Sequence, residues 1–338
     1  MSLADVSLVL IAAGMTAYIV LAGADFGGGF WDLTAGGAQR GRPARELVQR
    51  SMGPVWETNH VWLIFILVLT WTAFPVAFGS AMSTLYVAGF LAVAGIVMRG
   101  TGFALRGQAA SLPEARLLGA AFALSSVLAP FCLGAAAGAI GSGRVPVGNA
   151  AGDPWGSWLN PTGVLVGILA VLAGAYLAAV YLAADAERAG LDELRRAFRT
   201  RALGAGLVAG AVAIAGLFVL RGDAPALFEG LTSGAGLVCI VLSAIAGVTT
   251  LSLVWRGRFA AARYVAAAAV ASVTAGWALA QYPQLLPGLT VSQAAAPHST
   301  LVALLISAAL GVLTIAPAQL ALYRMAISGE LSKPTESS

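Results

Sequence analysis

The stretch Gly53-Pro54-Val55-Trp56-Glu57-Thr58-Asn59-His60-Val61-Trp62 gathers a carboxylate, a carboxamide, an imidazole and two indoles into ten residues, just where a long apolar run begins. A carboxylate suits proton loading and unloading, and an imidazole one turn away can relay or tune it. If the stretch is helical from Pro54, about 100° per residue spreads Asn59, Trp56, His60 and Glu57 over about 160° of one side. Such a half-face cannot look at lipid, because an unpaired polar group in hydrocarbon costs several kcal/mol. It must meet protein or a water-filled path.

The elements that position this stretch are membrane helices. With 59% apolar and 10% charged residues in 338, the chain lies far from the composition of a soluble domain. A helix needs about 20 apolar residues to cross the hydrocarbon, so the gaps between charges give the spans. They are Val6 to Ala24, two within Thr58 to Met98 with a tight turn near Pro75 to Ser80, Leu117 to Gly143, Pro154 to Ala184, Ala202 to Leu220, Gly230 to Trp255, and two within Tyr264 to Tyr323. The expectation is an all-α integral membrane protein of about nine transmembrane helices.

Alternate loops then hold Arg40, Arg42, Arg45 and Arg50; Arg99, Arg106 and Arg116; Arg188, Arg195, Arg196, Arg199 and Arg201; Arg256, Arg258 and Arg263; and Arg324 with Lys333. That is 17 of the 19 basic residues on one side, with Arg144 and Arg221 on the other. Cytoplasmic loops collect Lys and Arg, so the N-terminus is expected outside and the C-terminus in the cytoplasm. The net charge of +4 is a topology signal and not a nucleic-acid surface. The first apolar run lacks a basic n-region and a small-residue cleavage site and reads as a retained helix. The charged segment 185–201 reads as a solvated cytoplasmic helix joining halves 1–184 and 202–323 of a single polytopic membrane domain, 1–338. Two four-helix bundles plus one peripheral helix is the architecture this suggests. No sequence repeat between the halves is evident.

Other residues carry rival readings. Asp25, ahead of Gly27-Gly28-Gly29, is either a boundary carboxylate neutralised by the arginines that follow or a buried acid on an ion or proton path. The glycines follow no strand and precede no Lys-Ser/Thr, so close helix contact or a bend explains them better than a phosphate cradle. Glu57 could simply favour a helix N-terminus through the dipole, but Asn59 and His60 are not needed for that. Arg99 falls at the same end as Asp25 and Glu57, so the three could form one charge-balanced cluster. Gly134 to Gly138 supplies a small-residue packing face, and Trp155 with Trp158 fits an interfacial belt. His298 reads as a loop residue. Cys132 and Cys239 both fall within spans, which argues against a disulfide or a metal pair.

Taken together, these residues resemble the second subunit of the cytochrome bd-type quinol oxidases of bacteria. Its first-helix G-F-D-x-G element corresponds to Gly23-Ala24-Asp25-Phe26-Gly27, and W-D-G-N-x-V-W-L to Trp56-Glu57-Thr58-Asn59-His60-Val61-Trp62-Leu63. An Arg-x-x-Gly-Phe element matches Arg99 to Phe103, and a Tyr-Pro-x-Leu-Leu-Pro loop matches Tyr282 to Pro287. The motif departs at Glu57, which stands for the family's aspartate, and at Thr58, which stands for its glycine, and His60 occupies the variable site.

The resemblance implies a heterodimeric oxidase, in some cases with small accessory subunits, that oxidises quinol and reduces dioxygen to water in the bacterial plasma membrane. The sister subunit carries haems b and d and the quinol site. This chain binds no cofactor or metal alone, in keeping with its two histidines, His60 and His298, falling on opposite sides of the membrane. On this reading Glu57, Asp25 and His60 line a cytoplasmic proton path, with Trp56, Asn59, Trp62 and Arg99 supporting it or facing the sister subunit. The rival from another class is a secondary transporter with Glu57 and Asp25 as coupling acids. It fits less well, because the midplane, where transporters bind substrate, is nearly bare of charge.

Overall fold

The computed structural model describes residues 1–37, 39–53, 56–106, 108 and 111–328. Pro54, Val55 and Lys333, singled out above, lie outside the described residues. The chain is almost entirely helical. Helix α1 (Leu3–Leu33) is followed by α2 (Arg42–Met52), the single turn α3 (Trp56–Asn59), α4 (Val61–Ala73), α5 (Pro75–Thr84) and α6 (Tyr86–Arg106). Next come α7 (Leu112–Gly141), α8 (Pro161–Arg188), α9 (Asp192–Asp223), α10 (Pro225–Thr232), α11 (Gly234–Trp255) and α12 (Phe259–Gln281). A small antiparallel hairpin, β1 (Gln284–Leu286) and β2 (Leu289–Thr290), and the short α13 (Val291–Ala294) lead to α14 (His298–Ser328). Among the described residues eight helices are long and apolar enough to cross a membrane, and the number is nine if the bent segment α2 to α4 is counted as one span.

The uncharged runs all became helices, but three connections differ from expectation. Pro75 does not mark a tight turn. It occupies the first turn of α5, where a missing N–H costs nothing and the fixed φ favours a helix start. The charged segment 185–201 is not a separate helix either: Asp185 to Arg188 end α8 and Asp192 to Arg201 begin α9, with the reversal at Gly190, whose φ is +68°. Both helices simply outrun the apolar stretch. Between α12 and α14 the expected loop contains the β-hairpin, its turn made by Gly288 at φ +74°, and His298 is the first residue of α14. Trp155 is 53% exposed, as a belt residue should be, whereas Trp158 is 3% exposed and donates its indole N–H to the Pro154 carbonyl at 2.8 Å. That hydrogen bond folds Trp158 back onto its own loop.

Helix α1 is the hub. It packs against α4, α7 and α8 and also meets α12 and α14. One group comprises α1, α4, α6 and α7, another α8, α9, α11 and α12, and α14 lies on α4 and α1. The triple glycine contributes close contact and no bend, since α1 runs on unbroken to Leu33. A methyl group on Gly27 would overlap the Gly174 carbonyl of α8, and one on Gly174 would lie 2.6 Å from the Gly23 oxygen. Backbone-to-backbone approach of this kind is how small residues join helices where lipid offers no hydrophobic drive. The small-residue face of α7 acts similarly, because a Cβ on Gly138 would sit 2.8 Å from Gly163 Cα of α8.

At the end away from most arginines, Arg144 grips Asp223 through two hydrogen bonds of 2.9 and 2.6 Å. Asp223 also accepts from the Thr162 backbone N–H at 3.0 Å and its hydroxyl at 2.6 Å, and Arg144 reaches Asn160 at 3.1 Å. One of the two arginines on the sparse side is thus a structural tie between the α7–α8 loop and the end of α9. Hydrogen bonds to charged groups contribute about 1.5 to 3 kcal/mol, and this pair is partly exposed. Arg144→Ala or Asp223→Ala should therefore cost about 1 to 3 kcal/mol, read as a lower thermal unfolding midpoint in mild detergent. An unchanged midpoint would remove the tie from the stabilising contacts.

Candidate functional site

The sequence motifs converge where α1, α3, α6 and α7 meet. Asp25 on α1 is 1% exposed and Arg99 on α6 is 2% exposed, so an acid and a base are both withdrawn from solvent inside the helical body. The Asn59 side-chain amide donates to Asp25 Oδ2. Arg99 Nε donates to the Ser126 hydroxyl at 3.2 Å, and its guanidinium lies over the rings of Phe26 and Phe122, 5.0 and 5.3 Å from their centroids. Cation–π contact of this kind strengthens as the cation loses water. Asp25 and Arg99 sense each other electrostatically without a direct ion pair. Gly29 makes the arrangement possible, since a Cβ there would collide with the Ser126 side chain that holds Arg99.

The other motif residues form the walls. Trp56 packs on Phe103 at 5.6 Å and lies against Gly100, where a Cβ would come within 3.3 Å of its ring. Gly102 allows α6 to approach the Leu118 carbonyl of α7. Hence the Arg99 to Phe103 element works as a unit: Arg99 supplies charge, Gly100 and Gly102 supply proximity, and Phe103 bridges Trp56 to Phe122. His60 Nδ1 is 2.9 Å from the Trp56 carbonyl oxygen. Its ring stands edge-on to Tyr18, Phe26 and Trp56, with centroids 5.9 to 6.2 Å away.

Geometry separates residues that the sequence placed together. The motif is not one regular helix: α3 ends at Asn59, His60 caps α4, and α2 meets the α3–α4 segment at 58°. Within α3, about 160° apart round the turn, Asn59 is 1% exposed and turned towards Asp25, while Glu57 is exposed on the surface of the chain. Asp25, Asn59 and Arg99 form the buried cluster, and Glu57 is not in it. Trp62 turns to α14, where its indole N–H donates to Gln319 Oε1 at 3.1 Å. The role of a boundary acid neutralised by arginines belongs to Asp32, two turns beyond Asp25, which Arg45 meets at 2.7 Å and Arg106 closes from α6.

Four contributors escaped the sequence reading: Ser126, Tyr18, Gln319 and Asp32. Three of them had a faint signal. Ser126 is a hydroxyl in the middle of an apolar span, Tyr18 lies two turns from Asp25 on the same face of α1, and Gln319 is an amide within the last apolar run.

Chemically, the cluster sets a carboxyl that can exchange protons beside a guanidinium that cannot. His60 is half-buried, with Tyr18, Phe26 and Trp56 edge-on around its ring. His298 lies at the far end of α4, because the Ala296 N–H bonds the Ala73 carbonyl at 2.8 Å, and the 13 residues of α4 put about 20 Å between the two histidines. Among the described residues no group of His, Cys, Asp and Glu side chains could hold a metal ion.

Removing one member of a buried charge pair costs about 3 to 5 kcal/mol because the other is left uncompensated. Arg99→Leu should therefore lower thermal stability by about that much, and adding Asp25→Asn should recover part of the loss. A double variant less stable than Arg99→Leu alone would show that the two charges do not balance each other.

A family profile described as "Cytochrome bd terminal oxidase subunit II" matches residues 3–326. The cytochrome bd ubiquinol oxidase subunit 2 of Bacillus subtilis (strain 168) is 27% identical over 133 residues, a stretch that spans 39% of this chain and 38% of that protein. The solved structure of bd oxidase from Geobacillus thermodenitrificans superposes with a TM-score of 0.81 at 25% identity, covering 96% of this chain and 98% of that one. With its membrane-spanning helices, its buried Asp25 and Arg99 and a family match over nearly its whole length, this multi-pass protein belongs to the cytochrome bd terminal oxidase subunit II family.

Proposed function

We propose that this chain is the haem-free membrane subunit of a bacterial quinol oxidase that reduces dioxygen to water, and that it carries protons inward from its arginine-rich, cytoplasmic end. The observation that carries this reading is the buried carboxyl of Asp25, hydrogen-bonded to Asn59 and balanced by Arg99. Intramembrane acids of this kind are expensive and mark ion or proton paths. The haems, held by a partner subunit, would pass electrons from quinol to dioxygen.

The residues of this chain then divide the work. Glu57, exposed at the mouth, takes protons from solvent or from the partner's surface. Asn59 orients the carboxyl that receives them. His60 has one ring nitrogen engaged with the Trp56 carbonyl, which leaves Nε2, itself buried, to face the interior. Trp56 and Phe103 shield the cluster, keeping its charges out of water and their mutual field strong. Arg99 keeps the buried site close to neutral overall when Asp25 is ionised. The exposed aromatic and aliphatic face of α4 and α6, including Ile64, Trp71, Tyr86 and Phe90, suits a partner subunit whose surface is equally apolar.

A transporter reading gains no support, since the buried charges gather with the arginine-rich end and not at the midplane. In the purified oxidase complex, Asp25→Asn should lower quinol-driven oxygen consumption at least tenfold, and Glu57→Gln several-fold, with haem absorption bands unchanged. Full turnover in Asp25→Asn would overturn the proton-path role. Loss of the haem bands would assign the acid to assembly.

A further inference from the structure

The motif helix α4 is held on one side by α1 and on the other by α14, the last of the described helices. Its remaining face is open, with Ile64, Val68 and Trp71 exposed by 61, 49 and 64%. An apolar groove of about 180 Å3, lined by Val61, Phe65, Leu69, Leu304, Ala308 and Gly311 among others, runs between α4 and α14, and Leu69, Leu304 and Ala308 belong to one buried apolar cluster. Apolar packing alone gives no direction, and a directional contact is added to it: Trp62 Nε1–H donates to Gln319 Oε1 at 3.1 Å.

Gln319 is unusual within α14. Its neighbours in the same half, Leu313, Ile315 and Leu320, are 70, 44 and 59% exposed, whereas Gln319 is 8% exposed. An amide turned inward from an otherwise outward-facing helix needs a reason, and the indole N–H of Trp62 needs an acceptor in the same apolar place. The Gln319 carbonyl oxygen satisfies the indole, while its own Nε2 is buried without a hydrogen-bond partner among the described residues. Trp62 stands three residues after Asn59, across the break at His60, so whatever anchors Trp62 also limits how far Asn59 can move from Asp25.

We propose that Gln319 is a positioning residue for proton transfer: by anchoring Trp62 it holds α4, and with it Asn59, in register with Asp25. This rests on the proton-path reading of Asp25 above. The test uses the purified whole complex and three readouts: haem absorption, quinol-driven oxygen consumption, and the pH dependence of that rate. Gln319→Leu should keep the haem bands and lower turnover three- to tenfold, with the deficit growing as pH rises and protons become scarce. Trp62→Phe should do the same. Because both remove one contact, the double variant should be no slower than the slower single one, and Gln319→Glu, which keeps an acceptor for the indole, should recover most of the rate. Multiplied losses in the double variant, a pH-independent deficit, or wild-type turnover in Gln319→Leu would each overturn the proposal. If Gln319→Leu loses haem, the residue serves assembly and the proposal also falls. Asp25→Asn run in parallel separates the two ideas: normal turnover there ends the proton path and the positioning role together, whereas a slow Asp25→Asn beside a normal Gln319→Leu ends only the latter.

Discussion

A guanidinium and a carboxylate lie inside this helical body with almost no exposure, and most of what is unusual in its construction follows from keeping them there. Neither ion could stay if it were alone, since the desolvation cost of an isolated charge far exceeds what packing returns. Arg99 is accommodated by a hydroxyl on α7 and by two aromatic faces, and Asp25 by an amide from α3. Supplying those partners requires α1, α3, α6 and α7 to come together at one depth. The glycines on α1 and α6 are what let the backbones approach closely enough.

The separation of Asp25 from Asp32 shows the same logic at two depths. They lie on one helix, two turns apart, yet Asp32 meets Arg45 and Arg106 in direct ion pairs, whereas Asp25 has an amide and only the field of Arg99. An acid locked between two guanidinium groups is a fastening, and it joins α1 to α2 and α6. An acid held by one neutral donor has one oxygen engaged and no direct ion pair. The division of labour lies in the partners and not in the residue type.

Much of this was legible in the sequence, for a simple reason. Hydrocarbon sets a minimum length for each apolar run, so the spans could be read from the gaps between charges, and Asp25, Asn59 and Arg99 stood out as polar groups that lipid would not tolerate. What could not be read depends on the helical phase and on distant partners. Glu57 and Asn59 stand two residues apart in α3, about 160° from each other round the helix, so only the neighbouring helices decide which of the two is buried, and they bury Asn59 and leave Glu57 outside. Pro75 and the charges of 185–201 were mistaken for connections because proline and charge both end apolar runs, although neither ends a helix when it sits in a first turn or beyond the bilayer. The Trp62–Gln319 contact joins residues 257 positions apart, and no local pattern announces it.

The hub position of α1 has a consequence for biogenesis. This helix precedes every one of its partners in the chain, yet its contacts reach as far as α12 and α14. While synthesis proceeds, Asp25 has no Asn59 until α3 has followed and no Arg99 until α6 has. The glycine surface meant for α8 faces lipid or the insertion machinery in the meantime. Segments normally fold in order of synthesis, but here the first one described cannot complete its packing until the last arrives. A pause after α1 therefore leaves an acidic, glycine-lined helix without partners, and quality-control proteases have a defined interval in which to recognise chains that stop short.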